Sequence, residues 1–307
     1  MKKSEYIVLF SSLILLLGTQ MSCSDSYLEE KPMDKFSPEN LLTSKKGFET
    51  VIYSLHNFAR SGLFQSNNED VMNTGTDVAC SGVTDGRFFN DYSLILPEHA
   101  TPKFYWNWAY QKMLKDANLV ITRAENPNVS WTEDEKNAIV AEAKFFRAYT
   151  YNILVNLFGG VPIVDKEELS PRFDYTRASR KEVLEFIQKD LEFAAQYLPI
   201  VTSEASQDGR IFRAAANHLL SEVYISLGQE TGDQSFYDKS IAAATTVIDG
   251  SCGEYSLVKS RFGDTSRPGD YYSDLFWTNQ QNRASGNKEG IWAVSYTHLT
   301  LPTNSRV

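Results

Sequence analysis

The residues of this chain best suited to chemistry on a ligand fall in an aperiodic stretch. Asp77 is followed by the run Asp85-Gly86-Arg87-Phe88-Phe89-Asn90-Asp91-Tyr92. Aromatic faces beside planar polar side chains suit a polyhydroxylated ligand: rings stack on the C–H faces of a sugar, while amides, carboxylates and guanidinium groups reach its hydroxyls. Arg87, Asp85 and Asp91 could form paired, charge-assisted hydrogen bonds to vicinal hydroxyls, with Asn90 beside them. Trp277, in a second loop, offers another stacking surface. The alternative for these aromatics is to fold back as the core of their own loops.

Other chemistries find little support. His56, His99, His218 and His298 are scattered, with none at metal-ligand spacing, and no metal or cofactor site is expected. No nucleophile elbow, phosphate loop or dinucleotide turn occurs. Carboxylates are numerous enough that a glycosidase pair is the least favoured alternative rather than an impossible one. Apart from Cys23, only Cys80 and Cys252 are present; they could pair in an oxidising compartment, but without metal-like spacing the favoured reading is two separate thiols. A net charge of −9 without a basic patch argues against nucleic acid as a partner.

The first 22 residues read as a signal. Lys2 and Lys3 precede an apolar run, Ile7 to Leu17, too short to span a bilayer. Gly18-Thr19-Gln20-Met21-Ser22-Cys23 then looks like a bacterial lipobox, with Gln20 departing from the usual aliphatic residue. Cys23 is the expected lipidation site, and the membrane is expected to be met through that anchor alone. Asp25, Glu29 and Glu30 resemble a surface-export signal of Bacteroidota lipoproteins. Residues 23–43 are expected to form the acylated tether and 44–294 the folded domain. From about Ser295 the sequence loses its link with what precedes it, so 295–307 is expected to be a non-native tail.

Helices must position the loops. Phe48, Val51, Ile52, Leu55 and Ala59 mark the first. Tyr105 to Ala124 carries Trp106, Tyr110, Met113, Ala117, Val120 and Ile121 on one side. A long helix from Glu133 to Phe158 has Thr132 and Glu135 as a capping box, with Ile139, Ala143, Phe146, Ile153 and Leu157 as its buried stripe. Gly159 suits the left-handed residue that closes it. Ser179 and Glu182 cap the next, whose inner face is Val183, Ile187, Leu191, Ala194 and Leu198. Two more helices are expected, from about Phe212 to Leu227, stopped at Gly228, and from about Phe236 to Asp249. Trp106, Phe146 and Tyr149 fall on packing faces. The spacing Leu220-x3-Tyr224-x2-Leu227-Gly228, then Tyr237-x2-Ser240-Ile241, is reminiscent of a tetratricopeptide hairpin. The fold class is therefore mostly α: tetratricopeptide-like helix pairs with long irregular loops.

Several blocks, in order, resemble the SusD/RagB family of outer-membrane nutrient-binding lipoproteins. They are Tyr27-Leu28-Glu29-Glu30-Lys31-Pro32, Trp108-Ala109-Tyr110 with Asp116-Ala117-Asn118, and the run Ala141 to Pro162. After these come Asp190-Leu191 with Leu198-Pro199, Gly209-Arg210 before Ala214-Ala215-Ala216, Tyr255-Ser256-Leu257, and Asp274-Leu275-Phe276 before Glu289-Gly290-Ile291-Trp292. The resemblance implies a helical fold whose C-terminal half is missing here. It also implies a surface-exposed lipoprotein of the outer membrane, without catalytic machinery, that passes oligosaccharides or other nutrients to a SusC-like TonB-dependent transporter. It places part of the ligand face between the first helix and the Trp-x-x-x-Tyr helix, where Asp77 to Tyr92 lie. A helical-repeat adaptor that binds only protein is the alternative.

Overall fold

The computed structural model describes residues 38–64, 76, 95–202, 209–277, 280 and 282–292. The chain divides into two compact units, Met1–Leu41 and Leu42–Val307. In the first, the described residues form a single turn, α1 (Pro38–Leu41). All other elements belong to the second.

Helix α2 (Lys45–Ala59) starts where the Ser44 hydroxyl accepts a hydrogen bond from the Gly47 amide. Its expected stripe is buried throughout, and the helix runs on into a π-helical turn, Arg60–Phe64. The expected single helix beginning at Tyr105 is instead α3 (Ala100–Trp108), a π-helical turn (Ala109–Met113) and α4 (Leu114–Arg123). The wider turn resets the helical register. Tyr105, Trp108, Met113, Leu114, Ala117 and Val120 are therefore the buried set, while Trp106, Tyr110 and Ile121 are half-buried. Trp108 lies where a Cβ on Gly62 would have to go, and its indole N–H donates to the Phe58 carbonyl at 2.9 Å.

Helix α5 (Glu133–Phe158) carries the expected capping box of Thr132 and Glu135. Ile139, Ala143, Phe146 and Ile153 are buried and Leu157 half-buried. Gly159 leaves the helix at φ 72°, a region open to glycine at little cost. Gly160 then passes so close to the Ala178 carbonyl that a side chain would collide with it. The chain returns into α6 (Arg180–Tyr197), capped by Ser179 and Glu182, with its five expected inner residues all buried.

Helix α7 (Arg213–Thr231) does not stop at Gly228. Gly228 is interior, because the Tyr237 ring of α8 (Ser235–Ile248) fills the space its absent Cβ leaves, and the helix ends at Gly232. A helix-interior glycine costs about 1 kcal/mol relative to alanine, which the close packing of an aromatic ring offsets. Successive helices pack on one another: α4 on α5, α5 on α6, α6 on α7, α7 on α8. Two arginines stitch the turns by donating to helix C-terminal carbonyls, Arg177 to Phe158 and Gly160, and Arg213 to Gln196 and Leu198. Beyond α8 the chain is irregular apart from the turn α9 (Tyr271–Asp274) and a 3-10 turn, Arg283–Ser285. Among the described residues there is no strand, only a lone bridge between Val201 and Gly253. No described helix is long and apolar enough to cross a membrane.

Candidate ligand-binding surface

Two buried polar clusters hold the helices that present the loops, and both are built on α5. In the first, Arg147 donates from Nε and Nη2 to the two oxygens of Asp190 on α6, at 2.7 and 2.8 Å. Its Nη1 reaches Asn118 of α4 and the Asp165 carbonyl, each at 2.7 Å. Lys144 adds a bond to Asp190 at 3.1 Å. The segment that follows Gly160 is hung on the same residues. Asn118 donates to the Val164 carbonyl at 2.9 Å, Tyr110 to the Pro162 carbonyl at 2.7 Å, and the Val164 amide to the Tyr151 hydroxyl at 2.7 Å. Burial pushes the Tyr110 and Tyr151 phenols well above their ordinary range, so both remain donors.

In the second cluster, Glu142 on α5 faces His56 on α2, with Nε2 to Oε1 at 2.7 Å, and accepts from Nε and Nη2 along one edge of the Arg210 guanidinium. The Ile211 amide and, through Arg210, the Tyr53 hydroxyl complete it. Burial alone would raise the Glu142 pKa; the charge of Arg210 and the hydrogen bond from His56 outweigh it and bring it down to about 2.

The irregular segment after α8 is tied down by side chains. Trp292 packs edge-on against Phe145, Phe146 and Tyr149 of α5, with centroids 5.7, 6.2 and 5.4 Å away. Arg261 binds the fully buried Asp274 at 2.6 Å and also the carbonyls of Arg267 and Gly269. That hydrogen bond holds the Asp274 carboxyl below the usual carboxylate range. The Gln280 side chain, also buried, bonds the Phe262 carbonyl and the Asp264 amide. Drawn tight in this way, the loop leaves Tyr271, Tyr272, Phe276 and Trp277 at the surface. Trp277 is 36% exposed, with the Arg267 guanidinium 5.1 Å from its ring centroid. Tyr272 and Phe276 meet edge to face at 5.2 Å. An aromatic ring beside an arginine fork can stack on an apolar ligand face and bond its hydroxyl oxygens.

Of the expected site residues, Trp277 is placed in this way. Asp77, Asp85, Arg87, Phe88, Asn90, Asp91 and Tyr92 lie outside the described residues, as do Cys23, Cys80 and the 295–307 tail. Phe146 and Tyr149 pack as expected, and Trp106 stacks on Tyr110 at 5.1 Å. Cys252 is a buried free thiol that bonds Thr246 and Asn217. Among the described residues no group of three or more His, Cys, Asp or Glu side chains could hold a metal ion. The partnerships of Glu142, Arg147, Asp190 and Arg210 are not anticipated from the helical periodicity. Their signal is a charge set inside an apolar run, as in Phe145-Phe146-Arg147-Ala148.

Stacked helical hairpins joined by tethered loops define an α-helical repeat scaffold. The chain belongs to the SusD-like family, described as starch-binding and associating with the outer membrane, whose model matches residues 26–225. A curated relative, SusD-like protein P2 of Formosa agariphila, is 26% identical over 296 residues, which cover 92% of this chain and 52% of the relative. The chain spans about half the length of the curated relatives it matches. A solved laminarin-binding SusD-like protein is 26% identical, with a TM-score of 0.56 over 69% of this chain and 46% of its own. A structure solved with a xylogluco-oligosaccharide shares the fold at 22% identity and a TM-score of 0.62, over 80% of this chain and 46% of its own.

Two outcomes follow from the buried clusters. Arg147→Met leaves the Asp190 carboxylate buried without its main partner and should cost about 3–5 kcal/mol, read as a lower urea midpoint. For Glu142 the folded pKa lies below the unfolded one. Its contribution is therefore complete above the ordinary value of 4.5 and disappears as the pH falls toward about 2. The stability difference between the parent and Glu142→Gln should be constant near neutrality and close over that acid window. A difference that is unchanged down to the lowest pH would contradict the assignment.

Proposed function

We propose that this protein is a glycan-binding lipoprotein of the outer-membrane surface that captures oligosaccharides and delivers them to a TonB-dependent, SusC-like transporter. Membership of a family of carbohydrate-binding proteins carries the reading. A laminarin-binding SusD-like protein and a protein of the same fold solved with a xylogluco-oligosaccharide support a sugar as the ligand class. A binding role without catalysis is in keeping with that family. In this reading residues 1–22 are removed, Cys23 is acylated and 23–43 form the tether.

The ligand surface is assigned to the Asp77–Tyr92 stretch, through Asp77, Asp85, Arg87, Phe88, Asn90, Asp91 and Tyr92, with Trp277 as an additional platform. The ring of Trp277 orients Arg267, so the two would act together on a sugar: apolar contact from the indole, hydroxyl contacts from the guanidinium.

In the full-length protein, the double change Phe88→Ala and Tyr92→Ala should weaken retention on polysaccharide affinity gels by about tenfold or more, equivalent to ~1.4 kcal/mol. Unchanged retention removes the 77–92 stretch from the site, and a protein that retains no glycan but co-purifies with an outer-membrane barrel is an adaptor instead. For the anchor, the Cys23→Ala variant should leave the membrane fraction, whereas its persistence there would refute acylation at that residue.

A further inference from the structure

Among the described residues from Arg261 to Gln280 the one regular element is the turn α9, so backbone amides and carbonyls elsewhere in that stretch need other partners. Gln280 is such a partner, an uncharged amide only 4% exposed. A primary amide is tolerated in such a place when its two arms are bonded. Here Nε2 donates to the Phe262 carbonyl at 3.1 Å and Oε1 accepts from the Asp264 amide at 3.3 Å. The backbone amide of Gln280 meanwhile donates to the Trp277 carbonyl at 3.0 Å. The 262–264 turn can receive the side chain because Gly263 has none of its own. At its φ of 66°, a Cβ on Gly263 would lie 2.7 Å from the Gln280 Nε2.

From Asp264 the contacts run outward. Its Oδ1 accepts from the Ser266 amide at 3.2 Å and from the Ser266 hydroxyl, and its Oδ2 accepts from Arg267 Nε at 3.2 Å. The Arg267 guanidinium in turn lies 5.1 Å from the Trp277 ring centroid. Trp277, Gln280, Asp264 and Arg267 thus close a ring of contacts in which Gln280 is the buried member and the other three reach solvent. An exposed ion pair such as Arg267–Asp264 does little to fix two side chains by itself. The place of Arg267 over the indole therefore depends on where the Asp264 backbone is held, and the buried amide holds it.

We propose that Gln280 is a positioning residue for ligand binding: through the Phe262–Asp264 turn it sets Arg267 over Trp277, and with it the spacing between stacking face and hydroxyl-bonding fork. The proposal rests on the reading of Trp277 as a sugar platform. Without the Gln280 amide the ring opens at its buried member, the turn moves independently of Trp277, and a sugar must order the pair as it binds, at a cost in affinity.

A fluorine label reads the pair without any ligand. In the full-length protein carrying 5-fluorotryptophan, the Trp277 resonance is the line lost in Trp277→Phe. Gln280→Met removes both side-chain bonds with little change in volume. In the parent, Arg267→Ala should shift the Trp277 line. In Gln280→Met that line should already be displaced and should no longer respond to Arg267→Ala, while the lines of Trp106, Trp108 and Trp131 stay in place. A Trp277 line that keeps both its position and its response in Gln280→Met overturns the inference. Displacement of every line also overturns it, because it marks a general structural role. Retention on laminarin and xyloglucan gels is the second readout, the probes being taken from the sugars of the relatives. Gln280→Met should weaken retention about three- to fivefold, the scale of one stacked arginine–aromatic pair. Unchanged retention in Gln280→Met, beside a Trp277→Ala variant that loses it, overturns the inference alone. Unchanged retention in Trp277→Ala refutes the platform reading itself, and with it a part for Gln280 in binding.

Discussion

Arg147 brings a full positive charge into a place closed to water, and much of the helix stack is arranged to make that tolerable. Desolvating such an ion costs several kcal/mol, and the cost is recovered only if the counter-charge is well placed and the remaining donors are satisfied. Here the two oxygens of Asp190 take two donors, and Asn118 and the Asp165 carbonyl take a third. The arrangement has little slack. A shift of α4 or α6 along α5 by one turn would leave the guanidinium unsatisfied, whereas apolar surfaces can slide and repack at modest cost. The buried charge therefore does less for bulk stability than for register.

Glu142 repeats the device with the signs reversed, nearer the start of α5. His56 and Arg210 approach it from opposite ends of the sequence, so α2 and the entry to α7 are fixed to the same helix. Between them the clusters tie α2, α4, α6 and the entry to α7 to α5. Trp292 extends that to the irregular segment by packing on Phe145, Phe146 and Tyr149. A ligand surface carried on loops needs such a frame, because placement errors in the scaffold are passed directly to the contacting side chains.

The fold was largely readable from the sequence, for local reasons. Capping boxes at Thr132–Glu135 and Ser179–Glu182 and the stripe from Val183 to Leu198 are short-range signals that the packing left intact. The failures are tertiary. Gly228 carries a stop signal that a ring from another helix overrides, and the π-helical turn at Ala109–Met113 shifts a stripe that a constant 3.6-residue period places elsewhere. The ion clusters were half visible. Asn118, Glu142, Arg147, Asp190 and Arg210 all stand in the blocks that resemble SusD/RagB proteins, but pairing across the fold has no period to read. The candidate site was legible as composition alone, since a binding loop repeats nothing, and of its residues only Trp277 acquires a described neighbour, Arg267.

The separation of partners along the chain gives the two clusters different histories. Arg147 meets Asn118 and Asp190 across 29 and 43 residues, while Glu142 must close loops of 86 residues to His56 and 68 to Arg210. Closure entropy rises only slowly with loop length, but long-range closures are the slow ones. For a chain emerging from its N-terminus, Glu142 and His56 both precede Arg210, whose guanidinium completes the cluster. Along the chain the Arg147 cluster has all its side chains once Asp190 has been made, whereas the Glu142 cluster waits for Arg210.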